Sequence, residues 1–593
     1  MTGAALDFTD NDQIGRVAGV DTSRVAIDVT NSEMLTRVGI GQLIAIRGVT
    51  QAEFLIAMAD RVTRSLREEL PDPADGEFGT LTVSPSDHMQ AFVIGTYRTV
   101  DGEKSDTFKR GADSFPQIDR ECFVIEAANL QRFMGILGAG LSENERLKLG
   151  TFVADRSAEA IASGDKFFQR HAAILGSTGS GKSWAVALIL ERAAKLKFPN
   201  IVVFDMHGEY QPLADRSKGG FAQRFRIAGP GDLAAPKDDA LFLPYWLLNR
   251  DEMLSMVLDR SDQNAPNQAS RFTRHVRELK GMTLDDSGKA KVKETFTVDS
   301  PIPYAVADLV ARLKVDNTTK GIGAKGAAVK GEWEDKLTRF ISRLEAKLDD
   351  RRYGFMFSPP PESLDYGWLA KQIVKLLRAD SNNGIKIIDF SEVPADVLPV
   401  VTGTLARLLY DVQFWMSADA RTPITLLCDE AHLYLPVKDD ADAVQRQALW
   451  SFERIAKEGR KYGFSLLVVS QRPSDVSRTI LSQCNNFLAL RLTNDSDQNV
   501  IKRLMPDSLV GLTAMLPLLD TGEALLLGDA VLLPTRIKLD QPQVKPDSAT
   551  RDFWREWGAL MPDEKLLEAA VESLRSQSRT GGEFFPCPTV CES

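Results

Sequence analysis

The octapeptide Gly176-Ser177-Thr178-Gly179-Ser180-Gly181-Lys182-Ser183 has the spacing G-x-x-x-x-G-K-[ST], and each residue type in it suits the grip of a triphosphate. Glycines let successive backbone N–H groups turn inward on phosphate oxygens, Lys182 reaches the β and γ phosphates, and the Ser183 hydroxyl can ligate Mg2+. The apolar run Ala172-Ala173-Ile174-Leu175 precedes the loop, and a helix-like run over residues 184–190, starting at Trp184, follows it. A Gly/Ser-rich turn matching by chance would lack that strand, loop and helix context.

Hydrolysis needs a second, acidic site. Leu426-Leu427-Cys428-Asp429-Glu430-Ala431-His432 is an apolar strand ending in two carboxylates, with Asp429 suited to hold the Mg2+ water shell and Glu430 to polarise an attacking water. The next apolar strand ends at Ser470-Gln471, and the Gln471 amide can both donate and accept, as a γ-phosphate sensor must. Both readings compete with solvated polar residues at strand ends.

Cations are harder to assign. Arg454-Ile455-Ala456-Lys457-Glu458-Gly459-Arg460-Lys461-Tyr462-Gly463 is a basic helix end, which compensates a helix dipole or offers an arginine to a neighbouring subunit's nucleotide. Arg460 is the first choice for that finger and Arg454 the second; Arg170, just before the first core strand, could also turn toward nucleotide. Asp205-Met206-His207-Gly208-Glu209-Tyr210 follows the second core strand and reads as a polar network in preference to a metal site. Gly321-Ile322-Gly323-Ala324-Lys325-Gly326 imitates a dinucleotide fingerprint without the preceding strand. Lys320, Lys325 and Lys330 in that stretch could track a phosphate backbone, or simply be solvated. Pro562-Asp563-Glu564-Lys565 resembles a nuclease fragment and reads as a helix cap.

These groups must be positioned by a large chain. Its 593 residues suggest about three or four domains. Charged residues at 26% and hydrophobic residues at 43% suit a soluble globular protein; no apolar run crosses a bilayer, and no secretory signal is visible, so a cytoplasmic location is expected. Five cysteines are too few for a disulfide framework; Cys122, Cys428 and Cys484 read as core, and Cys587 and Cys591 lack a second metal-ligand pair. The net charge of −10, from 72 basic and 82 acidic residues, argues against a nucleic-acid-coated surface and leaves room for DNA held by a few loops within a ring.

Short β-type runs broken by turn residues over residues 1–155 predict a small barrel. Apolar runs at 201–204, 385–390, 424–428, 465–470 and 487–490, alternating with helical stretches, predict a parallel α/β core in two parts, 156–240 and 381–545. Residues 241–380 predict a helical insertion containing a mobile loop at 318–331; residues 523–537 predict a hairpin, and 546–593 a helical tail with a disordered end.

Taken together, the motifs resemble the HerA/FtsK branch of P-loop motors, and specifically the HerA-type DNA translocases. The matching segments are Arg170-His171 with the phosphate loop, Asp205 to Tyr210 as quoted above, Cys428-Asp429-Glu430-Ala431-His432, Glu458-Gly459-Arg460-Lys461-Tyr462-Gly463, Ser470-Gln471-Arg472-Pro473-Ser474 and Ile480-Leu481-Ser482-Gln483-Cys484-Asn485. The resemblance covers about residues 170–540 and, more weakly, the barrel. It implies a RecA-like ATPase core using ATP and Mg2+, a homohexameric ring with nucleotide between subunits, and double-stranded DNA in the centre. It also implies a separate nuclease or other effector, in DNA-end processing or antiphage defence. Two other readings stand beside this motor: an ATP-regulated ring-shaped scaffold that activates an effector, and a monomeric enzyme phosphorylating a small molecule, for which no acceptor site is evident.

Overall fold

The computed structural model describes residues 6–576 apart from 70–81, 102–103, 323–327, 379–383, 549–550 and single positions 22, 37, 51, 113, 140, 506, 560 and 562. The chain divides into two compact units. The first comprises Met1–Arg192, Ser470–Ser474 and Cys484–Pro542, and the second comprises Ala193–Val469, Asp475–Gln483 and Gln543–Ser593.

The first unit begins with the expected small barrel. Gln13–Val20, Arg24–Val29, Leu43–Arg47, Glu53–Glu69, Thr82–Asp101 and Glu121–Val124 form a closed ring, because Arg24–Val29 pairs with both Gln13–Val20 and Thr82–Asp101. Closure leaves those strands no free edge. Alternating residues such as Val25 and Ile27, or Ile44 and Ile46, fill the interior, as a period of two requires, and Ile14 and Val17 join them from a strand with an irregular register. Lys104–Arg110 extends the sheet beyond the ring.

A second sheet in this unit carries the phosphate loop. Ala172–Leu175 pairs in parallel with Asn486–Leu490, and the sheet continues antiparallel through Glu523–Gly528, Thr535–Leu539, Arg146–Phe152 and Glu159–Ser163. The wholly parallel core expected from apolar runs is therefore a mixed sheet. Strands fully buried on both faces read alike whichever way they run, so composition could not reveal the reversal. The expected hairpin is present, with Glu523 opposite Lys538 and Leu526 opposite Thr535, and its second strand, Thr535–Leu539, runs past the expected end at 537.

The second unit is parallel. Its strands run in the order Ala240–Leu241, Gln223–Ile227, Ile385–Asp389, Ile201–Asp205, Ile424–Cys428 and Phe464–Ser470. Arg250–Val257, Ala265–Asp286, Ala290–Thr295, Val306–Thr318, Thr338–Asp349 and Trp368–Leu377 form the helical insertion. Inside it, the loop expected to lack structure pairs Gly321 with Val329 and Ile322 with Ala328, a short antiparallel ladder. At Gly331 a Cβ would lie 1.9 Å from the Thr319 carbonyl oxygen, so glycine permits the close approach at its base. Asp563 accepts from the backbone N–H of Lys565 at 2.9 Å, capping the helix Glu564–Ser576 in the tail. Among the described residues no helix is long and apolar enough to cross a membrane.

A buried ion pair ties the insertion to the core helix Leu398–Trp415. Glu252 closes a capping box with Asn249 at the start of its helix, and its carboxylate also receives Arg407 Nε and Nη2, both at 2.7 Å. Arg407 Nη2 donates further to the Leu247 carbonyl at 2.8 Å. Glu252 and Arg407 are 3% and 9% exposed, so losing one partner strands a charge in a dry place. Arg407→Leu is expected to lower the stability of this unit by about 3–5 kcal/mol, and Arg407→Leu with Glu252→Gln to recover most of that loss. Denaturant unfolding followed by tryptophan fluorescence measures both; equal losses in the two variants would contradict the charge argument.

Candidate nucleotide site

The phosphate loop is shaped by what surrounds it in the first unit. Gly176 N–H donates to the Ser470 carbonyl at 3.3 Å and Ser177 N–H to the Arg491 carbonyl at 2.8 Å, so the loop starts anchored on two flanking segments. Gly179 and Gly181 have φ of +72° and +103°, values that L side chains rarely adopt, and they allow the tight reversal before the helix Lys182–Ala194. The turn ahead of Glu523–Gly528 braces the other side: Gly522 N–H donates to the Ser180 carbonyl at 3.0 Å, and Lys538 Nζ holds the Thr521 carbonyl at 2.8 Å. Lys182 is buried, with Nζ 3.4 Å from the Ser177 carbonyl, while Ser183 and Trp184 are partly buried in the first helical turn. A helix N-terminus beneath a glycine-rich turn favours anions by its dipole and N–H groups.

Gln471 follows the strand end Ser470 and lies in the same unit as the loop. Its Oε1 accepts from Thr178 Oγ1 at 2.6 Å. The Gln471 amide and a loop hydroxyl are thus in direct contact.

The acidic residues gather in the second unit. Parallel register places Asp205 opposite Asp389 and Phe204 opposite Cys428, so carboxylates from neighbouring strands end on the same edge. Asp205 accepts from the N–H groups of Gly208, Glu209 and Tyr210 at 2.9, 3.1 and 3.0 Å, and Asp389 receives Arg224 Nη2 at 2.7 Å. Burial nevertheless pushes Asp205 up to about 6, against the pull of those N–H groups and helped by Asp389. Asp429 is pushed well above the usual carboxylate range by burial first, then by Glu430, Asp205 and Glu209. The Tyr210 hydroxyl is buried with no hydrogen-bond partner among the described residues, and the same four acids raise its proton affinity further after burial. Burial and mutual repulsion thus disfavour the charged forms of these acids.

Glu430 has φ 43° and ψ 46°, a left-handed conformation that costs a non-glycine residue of order 1–3 kcal/mol. The turn is closed by Leu433 N–H donating to the Glu430 carbonyl at 2.9 Å, while the Tyr434 hydroxyl donates to the Asp429 carbonyl at 3.1 Å.

The three candidate arginines differ sharply. Arg454 pairs with Asp411 and Glu458, each at 3.5 Å, and lies 5.0 and 5.4 Å from the ring centroids of Tyr410 and Phe414. Arg460 is exposed, in the 3-10 turn Gly459–Tyr462 that follows the helix Ala443–Glu458. Arg170 is engaged by Asp529, which also accepts from Asn485 Nδ2 at 3.2 Å, so it serves the turn of the 523–539 hairpin. His207 is exposed, and no cluster of three or more metal-ligating side chains occurs among the described residues. Lys320 and Lys330 flank the short ladder, with Lys330 3.7 Å from Asp335, whereas Lys325 lies outside the described residues, as do Cys587 and Cys591. Cys122, Cys428 and Cys484 are buried free thiols. Sequence reasoning assigned no role to Thr521, Gly522 or Tyr434; the only available signal was a Thr-Gly turn before an apolar strand.

The braced loop, its helix and the strand-end acids define a P-loop NTPase of α/β fold with an N-terminal barrel. Residues 147–409 match the family model described as the central domain of helicase HerA. A probable helicase of Methanocaldococcus jannaschii is 26% identical over 77% of this chain and 78% of its own length. The DNA double-strand break repair helicase HerA of Sulfolobus acidocaldarius is 27% identical over 67% of this chain and 70% of its own. VirB4 of Thermoanaerobacter pseudethanolicus superposes with a TM-score of 0.45 at 15% identity, covering 68% of this chain and 97% of that one. Over residues 147–409 the chain is thus similar to HerA helicases, and it is an ATP-hydrolysing enzyme of the P-loop class.

The raised proton affinity of Asp205 has a stability consequence. Its folded value lies above the unfolded one near 3.9, so the contribution of its protonated form is complete below about pH 4 and lost as pH rises through about 6. Asp205→Asn removes that loss. The variant is expected to gain on the wild type by about 3 kcal/mol between pH 4 and 7, as measured by unfolding across that range. A pH-independent difference would contradict it.

Proposed function

We propose that the chain is an ATP-driven motor that moves double-stranded DNA through a homohexameric ring in the cytoplasm, alongside a nuclease or other effector on a separate chain, in DNA-end processing or antiphage defence. The observation that carries the ATPase part is the phosphate loop itself: glycines in left-handed conformations, braced at Ser180, with Gln471 bonded to Thr178. The DNA part is supported by the similarity to DNA double-strand break repair helicases.

In this reading the loop Gly176 to Ser183 wraps the phosphates, anchored through the N–H groups of Gly176 and Ser177 and turning later N–H groups inward, Lys182 neutralises the β and γ oxygens, and Trp184 lies at the first turn of the helix. Ser183, through its hydroxyl, and Asp429, through water, would hold Mg2+, whose charge offsets the negative charge developing on the phosphates. Glu430 accepts a proton from the attacking water, its carboxylate aimed by the left-handed turn. Gln471 exchanges its bond to Thr178 for one to the γ-phosphate or the water.

Arg460 is the cation that reaches a neighbouring subunit's nucleotide. Arg454, paired and stacked within its own protomer, serves as its support. Arg170 contributes through the 523–539 hairpin. Lys320 and Lys330, with Lys325 between them, contact DNA phosphates as sequence-independent charges.

Glu430→Gln is expected to lower ATP turnover by about 100-fold or more while retaining nucleotide binding, and duplex DNA to stimulate the wild type. An assembled ring whose hydrolysis ignores DNA would remove translocation and favour the regulated scaffold. Arg460→Ala is expected to lower turnover by about 10^3-fold in intact assemblies without changing protomer stability, whereas Arg454→Ala shifts the thermal midpoint. If both arginine variants hydrolyse normally as intact rings, no arginine of this segment crosses the interface.

A further inference from the structure

The residue that follows the acidic pair by two positions in the tight turn returns to it. His432 Nδ1 lies 3.2 Å from Glu430 Oε2, and the two side chains are 12% and 11% exposed. A glutamate has three rotatable side-chain bonds, and a near-attack geometry tolerates little of that freedom, since about 1 Å of misplacement can cost about 100-fold in rate. The left-handed backbone at Glu430 fixes where its side chain starts, and His432 Nδ1 stands within contact distance of where it ends.

We propose that His432 is a positioning residue, holding the Glu430 carboxylate in its working orientation and acting on the reaction only through Glu430. This rests on Glu430 being the proton acceptor for the attacking water. The imidazole is suited to the task because it is short, planar and largely packed, so it offers Nδ1 at a defined point with two torsions to fix. The neighbouring bond from the Tyr434 hydroxyl to the Asp429 carbonyl steadies the backbone of the same turn, so the two acids have separate supports.

The test uses the full-length chain and compares ATP turnover and nucleotide affinity for His432→Ala, His432→Asn, Glu430→Gln and the Glu430→Gln/His432→Ala double variant. His432→Ala is expected to lower kcat by about 10- to 100-fold with nucleotide Kd within about twofold of the wild type. His432→Asn, which keeps a nitrogen close to the Nδ1 position, is expected to recover most of the activity. In the Glu430→Gln background, His432→Ala is expected to change the residual turnover by less than about twofold, the non-additivity of two groups acting as one. The inference is overturned if His432→Ala turns over as fast as the wild type, if its loss is fully repeated without the Glu430 carboxylate, or if nucleotide affinity falls in step with kcat. Should His432→Ala fail to fold, a folded His432→Asn with the activity of Glu430→Gln would equally overturn it. An active Glu430→Gln variant overturns the assignment of Glu430 itself, which is a different failure.

Discussion

Negative charge crowded into a dry strand edge is the constraint around which the second unit is organised. Parallel strands all end on one side, so Asp205, Asp389, Asp429 and Glu430 are brought together by the same register that pairs Ile201–Asp205 with Ile385–Asp389 and Ile424–Cys428. Carboxylates so placed repel one another and lose hydration, and each needs a different remedy. Asp205 takes three backbone N–H groups and Asp389 takes Arg224, while Asp429 keeps the N–H of Glu430 and faces Glu430, Asp205 and Glu209. Burial and three neighbouring acids together raise the proton affinity of Asp429.

The phosphate loop of the first unit depends on a different device. Its helix and glycines supply a generic anion trap, but the turn at Thr521-Gly522 decides how the loop is held, and that turn exists because Glu523–Gly528 and Thr535–Leu539 form an antiparallel hairpin. The hairpin is in turn flanked by Arg146–Phe152, and its far end is pinned by Arg170 and Arg110 on Asp529. Residues that look remote from nucleotide chemistry therefore set the shape of the cradle. Arg170 is a clear instance: in sequence it abuts the nucleotide strand, yet its charge serves the turn on which the brace rests.

The phosphate loop, the acidic pair and Gln471 were legible in the sequence because each is a local pattern: a loop whose backbone dictates glycine, or an apolar strand with a polar end. Most strands, the helical insertion and the barrel were legible for the same reason. The antiparallel extension was not, because Arg146–Phe152 finds its partner nearly four hundred residues later and nothing in either segment encodes that pairing. The ladder at Gly321 and Val329 was missed because two residues a side give no periodicity to read. Tyr210 and His432 were visible as motif letters, but their meaning lies in burial and in a left-handed turn, and φ at a glutamate is not written in composition.

The two arginines of one helix end show how tertiary structure separates residues that sequence treats alike. Gly403 lets the helix Leu398–Trp415 approach the helix Ala443–Glu458 so closely that a Cβ there would stand 2.7 Å from Ala448 Cα. That approach brings Asp411, Tyr410 and Phe414 beneath Arg454, whose guanidinium is held by charge on one side and rings on the other. The helix then ends, and the 3-10 turn Gly459–Tyr462 changes the angular phase, so Arg460 leaves the packed face and points to solvent. A cation offered to another subunit must be free at its tip and rigid at its base. Arg454 is held by partners in its own protomer and so fails the first condition, whereas Arg460 is exposed.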